Sequence, residues 1–172
     1  VRYMLGMGRA EVKVALGPES GLGTWTSSVV DFVNEPAESE LGKSVALAEV
    51  AGRPMVVYCG SFVAGQPYQV KVASTENVQG GDWDIYTVAE GSGGVDIYEV
   101  QGRPAVVYSW HEYNAPDTEP TTLYYAINSE PDASGTWEKA EVTTQESADF
   151  IYKSLCVIDG MPAIVYSCDN SD

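Results

Sequence analysis

The sequence predicts an all-β chain made of repeated four-stranded antiparallel units, and three observations predict it. One motif occurs three times: Gly52-Arg53-Pro54-Met55-Val56-Val57-Tyr58, Gly102-Arg103-Pro104-Ala105-Val106-Val107-Tyr108 and Gly160-Met161-Pro162-Ala163-Ile164-Val165-Tyr166. The apolar segments around it are short, rich in Val, Ile, Tyr and Trp, and bounded by Gly, Pro, Asn and Asp, as strands are. No segment sustains the apolar period of roughly 3.6 residues that marks a helix. Self-similarity at such spacing signals a repeat architecture. Here the motif glycines lie 50 and 58 residues apart.

The elements follow in order. A first strand, A, is read at Leu47–Val50, Ile97–Val100 and Leu155–Ile158. It turns at Ala51-Gly52, Gln101-Gly102 and Asp159-Gly160, where glycine supplies the positive φ of a tight reversal. Strand B is the Val-Val-Tyr run, entered through a proline, which a strand's start tolerates. It is apolar on both faces, as expected of a sheet packed between two others. Strand C is Val12–Ala15, Val70–Ala73 and Leu123–Ala126. Strand D starts near Trp25, Trp83 and Trp137, each with a valine five residues on: Val30, Val88 and Val142. Val1-Arg2-Tyr3 matches the end of the B motif, so the chain reads B–C–D, two full A–B–C–D units, then A–B, 13 strands in all.

Four strands in such a span match a β-propeller blade. The predicted fold is therefore about three propeller blades of four antiparallel strands, part of a six- or seven-bladed propeller. Residues 1–172 form one partial propeller, with repeat units about 1–55, 56–105 and 106–163 and an extra strand at 164–172. Three blades do not close a ring, and an open arc exposes apolar faces at both ends. Either missing sequence or a second chain completes it. The opening Val1-Arg2-Tyr3 reads as the middle of a strand, and no signal peptide is visible ahead of it, which favours a piece of a longer polypeptide.

Charge excludes several partners. Asp and Glu number 25 against 9 Lys and Arg, a formal charge of −16. Nucleic acid and anionic membrane both require clustered cations. No apolar run is long enough for a membrane helix, so membrane insertion is not expected. The acids are dispersed, as on a solvated surface. No cofactor is expected. The acidic D–A stretch with Glu35, Glu38 and Glu40 is a place for Ca²⁺, but it lacks the alternating Asp/Asn–Gly pattern of a loop site. Cys59, Cys156 and Cys168 form no C-x-x-C pair and His111 is the sole histidine, which argues against zinc. A hairpin centred on Asp159-Gly160 sets Cys156 opposite Ala163 and not Cys168, the wrong geometry for a disulfide.

The segments before the tryptophans carry a resemblance. They read Glu19-Ser20-Gly21-Leu22-Gly23-Thr24-Trp25, Asn77-Val78-Gln79-Gly80-Gly81-Asp82-Trp83 and Asp132-Ala133-Ser134-Gly135-Thr136-Trp137. These are similar to degenerate Asp-boxes, the S-x-D-x-G-x-T-W turns between the third and fourth strands of sialidase-like (BNR-repeat) propeller blades. Asp132, Thr136 and Trp137 keep the family spacing with the glycine displaced by one, and the other copies lack the aspartate. The resemblance implies structural roles for Trp25, Trp83, Trp137 and Asp132, on the side away from any active site. Tyr58, Tyr108 and Tyr166 read likewise as repeat packing. With the acidity, it also implies a secreted or cell-surface protein.

A sialidase needs three arginines to clamp a carboxylate, a Tyr/Glu pair and an acid/base aspartate. The arginines here are Arg2, Arg9, Arg53 and Arg103, of which Arg53 and Arg103 share one repeat position beside the A–B turn. No catalytic residue is therefore assigned. Binding is expected on the face of the B–C and D–A loops, which vary over a constant scaffold. The longest B–C loop holds Trp110 and Tyr113, suited to stacking on a sugar ring, and His111, Glu112, Asn114 and Asp117, suited to its hydroxyls. Phe62 and Tyr68 form a weaker version one unit earlier. The leading expectation is a non-catalytic propeller binding carbohydrate or a protein partner. A fragment of a sialidase-like glycoside hydrolase and a structural segment of a large surface protein are the alternatives.

Overall fold

The computed structural model describes residues 8–35, 45–60, 67–78, 81–91, 93–111, 119–146 and 148–170. Among the described residues there are twelve strands and no helix. They form four antiparallel sheets in chain order. The first pairs β1 (Gly8–Leu16) with β2 (Thr26–Glu35). The second is the meander β3 (Val45–Val50), β4 (Arg53–Gly60), β5 (Gln69–Ser74) and β6 (Asp84–Glu90). The third repeats it with β7 (Gly93–Val100), β8 (Arg103–Trp110), β9 (Thr121–Asn128) and β10 (Trp137–Gln145). The last pairs β11 (Ala148–Ile158) with β12 (Met161–Asn170). Each expected strand falls inside one of these, except the first B strand at Val1–Tyr3, which lies outside the described residues.

The A–B turns are tighter than glycine alone announces. Gly52, Gly102 and Gly160 have φ of 77°, 74° and 78°, and the residues before them, Ala51, Gln101 and Asp159, are also positive at 49°, 55° and 52°. Two successive positive φ values make the hairpin turn whose twist matches its flanking strands. The last hairpin sets Cys156 opposite Ala163, as expected from its centre, while a register shift between Phe150 and Tyr152 sets Cys168 opposite Phe150, and the thiols are free.

The conserved spacing from tryptophan to valine has a structural cause. In all three C–D pairs the register slips at one equivalent place: between Val12 and Lys13, between Val70 and Lys71, and between Glu141 and Thr143. The residue left over is Val30, Val88 or Val142. The landmark valine is thus a β-bulge residue, which bends the outer strand and increases its twist.

Successive sheets pack face to face, each pair sharing a core. Val14, Val30 and Val33 of the first sheet meet Val56, Tyr58 and Ala73 of the second. Met55, Val57, Val70 and Val72 meet Val95, Ile97, Val106 and Tyr108 of the third. Val100, Ala105, Val107 and Leu123 meet Phe150 and Leu155 of the last. This explains the doubly apolar B strands, since β4 and β8 are buried on both faces. The closest approaches between sheets involve the first strands β3, β7 and β11, so the sheets converge there and splay toward β6 and β10. Polar clips join them: Ala51 N donates to Glu99 Oε2 at 2.6 Å and Leu155 N to Asp96 Oδ2 at 2.8 Å.

Candidate functional site

The meander sends the ends of B and D and the starts of A and C to one edge, here the upper rim. At the second and third sheets this rim is built on the crossover through Gly91. Gly91 N donates to Tyr68 O at 3.0 Å and Cys59 Sγ donates to Gly91 O at 3.3 Å. Ser109 Oγ donates to Gly93 O at 2.7 Å. A Cβ on Gly91 would lie 2.6 Å from Val70 Cγ2 and 3.1 Å from Tyr108 Cδ2, so the crossover backbone lies directly on the packed junction.

Two of the sequence-predicted aromatics pack on this junction. Trp110, the last residue of β8, and Tyr68, just ahead of β5, are both half-buried against the core shared by the second and third sheets. His111 follows Trp110 and is half-buried too. Each aromatic therefore has one side fixed by packing and another at the surface. Phe62, Glu112, Tyr113, Asn114 and Asp117 lie outside the described residues. Thr122, opposite Trp110, shares a 2.8 Å hydrogen bond with Thr144, whose hydroxyl reaches Glu141 at 3.0 Å.

Sequence reasoning missed the cation of this rim. Lys153, on β11, lies across Gly94, where a Cβ would collide with its Nζ, and it donates to Phe150 O at 2.8 Å. Burial pushes the Cys59 thiol up to about 12, opposed by the charge of Lys153 nearby. The signal was the Gly93-Gly94 doublet at the start of β7, which leaves room for a side chain from the next sheet.

A second polar group was also missed. Tyr58 donates from its hydroxyl to Asp31 Oδ2 at 2.8 Å, and Lys71 Nζ lies 3.9 Å from the same oxygen. Burial, then the bond to Asp31, lifts the Tyr58 phenol far above its ordinary value. Burial lowers Lys71, opposed by Asp31. The clue was Asp31 itself, set within the run Val29-Val30-Asp31-Phe32-Val33. In the next sheet Tyr108 stacks on Tyr124 at 5.6 Å and is pushed up to about 12 by burial. Tyr166, exposed, packs edge-on to Phe150 at 5.4 Å.

The lower edge carries the Asp-box-like turns. Buried Asn128 organises the 129–136 turn: its Nδ2 donates to Ala133 O and Gly135 O, and its Oδ1 accepts from Glu130 N and Gly135 N. Asp132 Oδ1 accepts from Ser134 Oγ at 2.6 Å and Ser134 N at 3.0 Å, which holds its carboxyl below the ordinary value. Trp137 and Trp83 pack against the junction cores with no acceptor for their indole N–H among the described residues, while Trp25 is exposed. Arg53 pairs with Glu76 at 2.5 Å at this edge, and Arg103 reaches Gln101 at 3.5 Å.

Among the described residues no three His, Cys, Asp or Glu side chains come together as a metal site would need; Glu38 and Glu40 lie outside them. No family model, curated protein or solved structure matches the chain.

Proposed function

We propose that this chain is part of a non-catalytic, secreted or cell-surface β-propeller that binds carbohydrate at its upper rim. The propeller reading is supported by consecutive four-stranded meanders that stack face to face and converge on their first strands. Such radial stacking is how propellers protect their sheet edges. The observation that carries the ligand is the pair Tyr68 and Trp110, both packed on one junction at the rim. A sugar presents axial C–H groups that favour an aromatic face, and rings already held by packing lose little entropy on binding. His111 and the Thr122–Thr144 hydroxyls lie along the same rim for its hydroxyls.

A glycan array probed with the intact chain tests this. A specific hit that disappears in Trp110→Ala, with the far-UV spectrum retained, is the expected outcome. An array without a hit, or a hit that Trp110→Ala leaves intact, overturns it. A protein ligand at the same rim is the second outcome of that failure. The hydrolase alternative asks for an accessible nucleophilic tyrosine. The hydrogen-bonded pair Tyr58–Asp31 does not supply one, because Tyr58 is packed inside a junction and held neutral.

A further inference from the structure

One junction differs from its neighbours in what it carries at the upper rim. Tyr68 stands two residues before Val70 of its C strand, and Trp110 two residues after the Tyr108 that ends its B motif. At the place of Tyr68 the first and third sheets carry Ala10 and Thr121. At the place of Trp110 the second and last sheets carry Gly60 and Cys168. Of the three described junctions, that of the second and third sheets alone has an aromatic from each side. At the first junction the equivalent place is shut, since a Cβ on Gly60 would lie 2.9 Å from Cγ1 of buried Val33.

The third sheet lays a polar row beside its aromatic. Trp110 stands opposite Thr122 and Thr122 opposite Thr144, so the three side chains share one face. By alternation Tyr124 and Ala126 point the same way, and both pack in the core shared with the second sheet. Glu141, opposite Tyr124, joins that face. In a regular strand residues three apart point to opposite sides. The bulge at Val142 adds one residue and sets Glu141 and Thr144 together. A hydroxyl has one proton to give. Thr144 gives its proton to Glu141 Oε1 at 3.0 Å, and so accepts from Thr122 at 2.8 Å. The relay ends on a carboxylate, which has a second oxygen to offer a sugar hydroxyl. Glu141 and Thr144 are exposed although they face the second sheet, because the sheets splay toward their outer strands.

We infer that this mouth is a two-part site for an uncharged oligosaccharide of two or more rings, with Glu141 the residue that selects for the second ring. The inference rests on the carbohydrate reading above and adds the length and charge of the ligand. Tyr68 and Trp110 take one ring by its C–H face, and Thr144 and Glu141 take hydroxyls of the next. The row from β8 to β10 crosses two strand spacings, roughly 10 Å. That is longer than one pyranose ring and close to a disaccharide. Lys139, opposite Ala126 on the same face, stands next to Glu141, so the face carries one charge of each sign and favours neither ion. The formal −16 of the chain further repels anions. A β-1,4-linked glucan has the matching form: flat, with axial C–H groups on its faces and equatorial hydroxyls along its edges.

Titration calorimetry of the chain with glucose, cellobiose and cellotetraose tests this. The affinity should rise about tenfold from glucose to cellobiose and change little beyond, with one molecule bound per chain. Glu141→Ala should remove that step and leave glucose binding as it was, whereas Trp110→Ala should weaken all three. Glu141 is exposed, so the variant should keep its denaturant midpoint, which serves as the folding control. Equal affinity for glucose and cellobiose, or a step that Glu141→Ala leaves intact, overturns the two-part site while the aromatic reading stands. More than one molecule bound per chain overturns it as well. So does failure to bind any of the three, and the glycan array then decides whether the carbohydrate reading falls with it.

Discussion

The hydroxyl of Tyr58 donates to Asp31 Oδ2 across 2.8 Å, tying the first sheet to the second through a bond inside their shared core. A carboxylate at that depth is tolerated because the phenol and the Lys71 ammonium both face it. The bond favours the neutral phenol, and burial favours it more. The Tyr58 phenol is therefore raised above its ordinary 10.0, and buried Tyr108 rises to about 12. For a group raised on folding, the stabilisation is complete below the unfolded value and fades as pH climbs through the folded one. Thermal melts should hold steady up to about pH 10 and fall steeply above it. Tyr58→Phe should cost about 1–3 kcal/mol near neutrality by denaturant titration and flatten part of that alkaline fall. An alkaline limb identical in wild type and variant would refute the assignment.

Gly91→Ala should disturb the rim and not merely the turn. Its φ is not in the left-handed region, so the cost is steric alone. The new methyl would press on Val70 and Tyr108, both buried. Overpacking of this kind costs roughly 1–3 kcal/mol. Denaturant titration gives the loss, and Trp110 fluorescence should shift with it because the crossover backbone bonds to Tyr68 and abuts Ser109. An unchanged midpoint would mean that the crossover is loosely held.

Much of this fold was legible because each strand has its own local marker. The turn glycines, the entering prolines and the Val-Val-Tyr runs each act within a few residues of chain. The bulge was half-legible: the tryptophan-to-valine spacing was visible, but its cause needs the facing strand. The polar clips were not legible. Asp96 reaches Leu155 N across 59 residues of sequence, and Lys153 fills space above Gly94 from a different sheet. Neither residue stands at a repeat-conserved position, so no internal comparison singles it out. Of the candidate site, Tyr68, Trp110 and His111 were singled out in the sequence from their loop position, whereas Lys153 was not.

Asn128 should matter more to the 129–136 turn than Asp132 does. Asn128 is buried and makes four hydrogen bonds to the turn backbone, whereas Asp132 bonds only locally to Ser134 at a partly exposed place. Asn128→Ala strands several of those groups, at about 1–3 kcal/mol for a buried one left unpaired. Asp132→Ala should cost under about 1 kcal/mol. Amide hydrogen exchange separates them: the Gly135 amide should lose protection in Asn128→Ala and keep it in Asp132→Ala. The reverse ranking would make the aspartate, and not the asparagine, the organiser of the turn.

The three thiols should report the rim from inside. Cys156 is exposed and Cys168 half-buried on the last hairpin, whereas Cys59 is buried with its thiol bonded to Gly91 O. The reactive species is the thiolate. Burial pushes Cys59 up to about 12, so at neutral pH it is protonated as well as inaccessible. A disulfide reagent in excess should label Cys156 fast and leave Cys59 unmodified until the crossover opens. Its slow phase then measures the opening of the junction beneath Tyr68 and Trp110. Gly91→Ala should speed that phase without altering the rate at Cys156, and a bound sugar bridging the two aromatics should slow it. Fast labelling of Cys59 in the unmodified chain would show that the junction is open and that the two aromatics are not held in place by packing.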